Sequence, residues 1–103
     1  MRIVIWGSTH YEICLCKKTN KDGSESMINP SSAQAFLETY SETPVQVASL
    51  SCSKIATGEY VVRFFADKTI YKTKTMYYIA FYYVYEGDTI CKREAITIEP
   101  ARC

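Results

Sequence analysis

The chain has almost no net charge, one histidine, one tryptophan, three prolines and four glycines. Twelve Lys and Arg against eleven Asp and Glu leave +1, which excludes the strong field that gathers nucleic acid or mimics it. A lone His10 leaves little imidazole for metal ligation or nucleophile activation. No long hydrophobic run exists: Met76 to Tyr85 is the longest, about half a bilayer span, and Tyr, Met and Ala supply seven of its ten residues. The segment from Met1 to Gly7 is too short in apolar residues for a signal peptide. Glycine-rich phosphate loops and the His-Glu-x-x-His zinc motif are missing, which removes phosphate cradling and zincin chemistry.

What is present describes one globular unit. With 103 residues, 48% hydrophobic and 22% charged, a single domain over 1–103 has enough apolar side chain for one core. Five cysteines, Cys14, Cys16, Cys52, Cys91 and Cys103, form an odd set without a secretory leader. That pattern reads as free thiols in a reducing compartment, hence a cytoplasmic protein. A domain cut from an anchored, exported protein would instead be periplasmic, and one or two bridges would then be open to it.

Residues 1–28 read as an N-terminal β-hairpin and loop. Arg2 to Trp6 are β-branched and aromatic, Gly7 to His10 turn, and Tyr11, Ile13 and Leu15 alternate with Glu12, Cys14 and Cys16. Thr19 to Ser26 gathers Asn, Asp, Gly and Ser into an exposed loop. Residues 29–43 read as the one helix, with Asn29 or Ser31 as cap, Pro30 at the first turn, and Ala33, Phe36, Leu37 and Tyr40 as its apolar stripe before Pro44. Residues 44–100 read as a four-stranded antiparallel meander: Val45–Ala56, Glu59–Ala66, Thr69–Tyr85 and Thr89–Ile98. The fold class expected is α+β, a short helix packed on a curved sheet.

Seven of nine tyrosines lie between Tyr60 and Tyr85. In a strand, Tyr77, Ile79, Phe81, Tyr83 and Tyr85 share one face, and Met76, Tyr78, Ala80, Tyr82 and Val84 share the other. In one reading both faces are covered, with the hydroxyls reaching the rim. In the other, one face, carrying either Tyr83 and Tyr85 or Tyr78 and Tyr82, presents amphipathic rings to a partner protein, which makes Tyr71, Tyr78, Tyr82, Tyr83 and Tyr85 binding candidates. Arg63, Lys68, Lys72 and Lys74, interleaved by Tyr71, form the only basic concentration and join that set, either as phosphate contacts or as edge protection of a strand. Cys14-x-Cys16 with His10 has the wrong spacing for a zinc knuckle, so no metal and no cofactor is implied.

Residues 29–100 resemble the periplasmic domain of the inner-membrane scaffold proteins of bacterial type IV secretion, part of the cystatin-like or nuclear-transport-factor-like α+β group. The resemblance rests on Asn29-Pro30-Ser31-Ser32-Ala33-Gln34, Val45-Gln46-Val47, Val61-Val62-Arg63-Phe64 and the run Tyr78 to Tyr85. Ile55 to Tyr60 also resembles the first inhibitory hairpin of cystatins, although Lys54 stands at the key glutamine position. The family likeness implies a helix-on-sheet domain in a secretion or conjugation assembly. From size and the missing catalytic groups, the expected function is non-enzymatic protein binding, as an assembly subunit or as a small phage or mobile-element inhibitor of a host complex. A homodimer through the sheet edge fits the same surface. The alternatives are a Tyr-lined small-molecule pocket in which Tyr82 works with a carboxylate, and weak binding of single-stranded nucleic acid.

Overall fold

The computed structural model describes residues 1–101, and every regular element in them is a β-strand. In chain order these are β1 (Arg2–Ile5), β2 (Thr9–Leu15), β3 (Lys17–Thr19), β4 (Glu25–Met27), β5 (Ser32–Thr39), β6 (Gln46–Ala56), β7 (Glu59–Phe65), β8 (Thr75–Tyr85) and β9 (Asp88–Glu99). Seven of them make one mixed sheet in the order β1-β9-β8-β5-β6-β7-β2, and β3 and β4 pair as a separate ribbon. The outermost strands, β1 and β2, are consecutive in the chain, so the sheet curls toward a barrel. At one end the curl is fastened. The Trp6 N–H donates to the Glu99 carbonyl at 2.8 Å, Gly7 N–H to the Ala66 carbonyl at 2.8 Å, and Ala66 N–H to the Ser8 carbonyl at 2.9 Å.

The core fills the inside of this curl. Period-two alternation turns Ala35 and Leu37 of β5, Val62 and Phe64 of β7, Ile79, Phe81 and Tyr83 of β8, and Ile96 and Ile98 of β9 inward. Val4 of β1, Cys16 and Ile28 complete the buried set. Interlocked branched and aromatic side chains of this kind supply most of the drive to fold. Among the described residues, no helix is long and apolar enough to cross a membrane.

The helix expected over 29–43 is absent, and β5 stands in its place. Ala33, Phe36, Leu37 and Tyr40 satisfy a helical stripe, yet Ala33, Ala35 and Leu37 equally satisfy a strand face. An isolated helix this short is marginal, whereas β5 hydrogen-bonds on both sides, with Ala35 opposite Phe81 of β8 and Leu50 of β6. Long-range pairing decides between two compatible periods.

The meander expected over 44–100 is likewise corrected. β6 pairs with β7 and β8 pairs with β9, but β5 lies between β6 and β8, so the two hairpins do not adjoin as drawn from sequence. The N-terminal hairpin is not a hairpin either. β1 pairs in parallel with β9, Arg2 opposite Ile96, and β2 pairs antiparallel with β7, Tyr11 opposite Arg63. Short turns forbid parallel pairing only between consecutive strands, and β1 and β9 sit at opposite ends of the chain. An all-β architecture therefore replaces the α+β class and, with it, the cystatin-like and secretion-scaffold resemblance.

Candidate functional site

The barrel is fastened at one end and open along the rest of its seam. Only the last four residues of β9, Ile96–Glu99, pair with β1. Among the described residues no strand pairs with that edge of β9 from Asp88 to Ala95, and β2 is paired on its β7 side alone. Following the pairings round the sheet, β2 runs opposite to β9, so two free, antiparallel edges face each other. A cleft of about 250 Å³ fills the gap, with Cys14 and Leu15 on one wall, Lys92 and Glu94 on the other, and Ile79 and Phe81 as floor.

Side chains, not backbone, bridge this gap. Lys92 Nζ donates to the Leu15 carbonyl at 2.5 Å. Arg2 Nε lies 3.4 Å from Glu12 Oε1 and 3.5 Å from Glu94 Oε1, and Glu12 Oε2 is also 2.8 Å from His10 Nε2. Burial, with a smaller contribution from Glu12, pushes the Cys14 thiol up to about 12. Burial raises the Cys16 and Cys52 thiols as well. Thiols held protonated are poor nucleophiles and poor ligands. No group of three or more His, Cys, Asp or Glu side chains is placed to hold a metal among the described residues. Cys14, Cys16, Cys52 and Cys91 are free, and Cys103 lies outside the described residues.

β2 is oriented against the usual rule. His10, Glu12 and Cys14 turn toward the barrel interior, while Tyr11 and Ile13 point outward at 61% and 55% exposure. A strand with one apolar and one polar face ordinarily buries the apolar one. Outward apolar side chains also stand on β1 and β7: Ile3 is 58% exposed and Phe65 is 50% exposed.

On the opposite flank, Glu38, Tyr82 and Arg93 form a closed set on the outer face of β5, β8 and β9. Tyr82 Oη donates to Glu38 Oε2, Arg93 Nε donates to Glu38 Oε1 at 2.7 Å, and Arg93 Nη2 donates to Tyr82 Oη at 2.9 Å. Burial and the bond to Glu38, in that order, push the Tyr82 phenol up to about 12. The bond to Glu38 likewise raises Arg93. Tyr82 does meet a carboxylate, but its hydroxyl and both Glu38 oxygens are engaged within the set, which sits on the outer side of the sheet.

The structure separates the remaining candidates. Tyr83 is 2% exposed and packs on Phe81 at 5.6 Å, inside the core. Tyr85 packs against the same core from β8. Tyr71 is wedged between Phe64 and Tyr77, at 5.2 and 5.7 Å, and its carbonyl accepts the Trp6 indole N–H at 3.0 Å. Tyr78 and Tyr82 share the outer face of β8, where Tyr78 stacks on Tyr40 at 4.9 Å. Arg63 projects outward from β7. Lys68 lies over the Trp6 ring at 5.1 Å, Lys74 Nζ is 3.9 Å from Glu99 Oε2, and Lys72 is exposed in the same stretch ahead of β8. The lysines therefore belong to a loop and form no stripe. Sequence reasoning missed Ile3, Tyr11, Ile13 and Phe65, because alternation shows that two faces differ without showing which one turns outward.

No protein-family model, curated protein or solved structure matches this chain.

Proposed function

We propose that this chain is a non-enzymatic protein-binding module that docks through the outer face of β1, β2 and β7. One observation carries the reading: β2 is turned inside out, with Tyr11 and Ile13 in solvent and Glu12 and Cys14 toward the interior. Water penalises such an arrangement in a lone monomer, and exposed apolar side chains around an aromatic ring, here with Arg63 opposite Tyr11, are what interfaces use. An assembly subunit or a small inhibitor of a host complex both require a face of this kind.

The test is paired capture from the native host, with the wild-type chain and a Tyr11→Ser/Phe65→Ser variant as baits, read by mass spectrometry. Both side chains are exposed, so the variant keeps its melting temperature while losing the proteins that the wild type holds. Identical sets of captured proteins overturn the assignment.

A further inference from the structure

Building on that protein-binding reading, we propose that the open seam takes one extended segment of the partner, running parallel to β9 and antiparallel to β2. The first part of this slot is already filled in the monomer. β1 lies along Ile96–Glu99 in parallel register, buries Val4 to 2% exposure, and points Ile3 outward. Among the described residues, the same edge of β9 is unpaired from Ala95 back to Asp88 and faces the edge of β2 that is not paired with β7. Two free backbone edges facing each other across this cleft offer hydrogen-bond partners to both sides of an added strand, the mode of recognition known as β-augmentation.

The lining specifies the occupant. Its inward side chains meet Ile79 and Phe81 on the floor of the cleft, with Glu12, Lys92 and Glu94 along the walls, and its outward ones flank Tyr11 and Ile13. Aliphatic residues therefore suit the floor and the outer side, as Ile3, Val4 and Ile5 provide in β1, while the walls call for charge. An arriving strand N–H replaces Lys92 at the Leu15 carbonyl. Lys92 forms no ion pair among the described residues, its ammonium lying over the Tyr83 ring at 5.9 Å, so an acidic residue beside it in the segment completes the fit. The occupant is thus a β-branched stretch of about six residues, given the edge left free, with one acidic residue near its middle.

The probe is a fluorescein-labelled peptide, Lys-Val-Ile-Glu-Val-Ile-Lys, titrated into the full chain, beside the same peptide N-methylated at alternate amides. Expected are saturable anisotropy, at least a tenfold weaker association after methylation, and slowed amide exchange confined to residues 9–15 and 88–95. No association at millimolar peptide, equal association by the methylated form, or protection elsewhere overturns the proposal. Sedimentation of the chain alone gives a monomer; a dimer that the peptide dissociates assigns the seam to a second copy and overturns the partner segment. Lys92→Glu lowers affinity for this peptide and restores it for one with Lys in place of Glu, a reversal that a merely destabilised barrel does not give. Failure of these results with face-dependent capture intact removes the seam alone, whereas capture indifferent to Tyr11 and Phe65 removes the broader reading.

Discussion

Arg93 Nε donates to Glu38 Oε1 at 2.7 Å on the outside of the barrel, yet the Glu38 carboxylate is only 1% exposed. The outer face of β5 and β8 carries its own cover: Arg93 lies over the Tyr82 ring at 5.7 Å, and Phe36 packs edge-on against Tyr82 at 5.9 Å. The sheet is consequently packed on both sides along this stretch, which is how Ala80 comes to be fully buried on the outward side of β8. Removing the cation leaves a carboxylate in a dry place. Arg93→Met is expected to cost about 1–3 kcal/mol in urea unfolding, partly offset by the solvent that Arg93 already meets. Glu38→Leu/Arg93→Met is expected to recover part of that loss, because no unpaired charge remains buried.

Alkaline pH acts on the opposite set of groups. Cys14 rises from 9.0 and Tyr82 from 10.0, each to about 12, because burial disfavours their anions. A folded-state value above the unfolded one means stability fully present below about pH 9 and lost progressively as pH climbs to 12. The urea midpoint therefore falls between pH 9 and 11.5, and a Tyr82→Phe/Cys14→Ala chain shows a shallower fall from its own neutral value. An unchanged slope removes these two groups as the cause.

The tyrosine-rich run reads correctly as a strand with Ile79, Phe81 and Tyr83 on one face, since nine alternating positions leave no room for a second period. Glu59 to Phe65 is equally legible, and the glycine turns before it and after the tyrosine-rich run carry positive φ at Gly58 and Gly87. The stretch around Phe36 is not, because Ala33 and Leu37 support either period, and the deciding partner, Tyr83 opposite Ala33, lies fifty residues downstream. The seam is less legible still. Its place is set by β1 pairing with Ile96–Glu99 of β9, a relation between strands far apart in sequence that no local window contains.

Gln34 offers a direct check on β5. It is exposed, sits opposite Tyr82 on the outer face, and bears no core packing. Gln34→Thr places a β-branched side chain on a pleated surface beside an aromatic ring. In a strand this raises stability by about 0.2–1 kcal/mol through the cross-strand pair, whereas in a helix the same change lowers it. Thermal melting of the variant reads the sign.

Gly58 and Gly87 occupy the same left-handed region, with φ of 69° and 85°, but in very different surroundings. A Cβ on Gly87 meets nothing within 4 Å, while one on Gly58 comes within 2.8 Å of the Ile28 carbonyl and 2.9 Å of the Cys16 carbonyl. Gly58 also accepts the Cys16 N–H at 2.7 Å, and Ile28 N–H donates to Cys16 at 3.0 Å, so the β6–β7 turn is the seat on which the β3–β4 ribbon rests. Gly87→Ala carries only the backbone cost, about 1–2 kcal/mol. Gly58→Ala adds contact with two carbonyls that cannot both retreat without losing those bonds, for a total of about 2–5 kcal/mol. Amide exchange distinguishes the mechanisms: Gly58→Ala accelerates exchange at Cys16 and Ile28 and frees the ribbon, whereas Gly87→Ala leaves both amides protected. Equal destabilisation by the two substitutions removes Gly58 as the ribbon's seat.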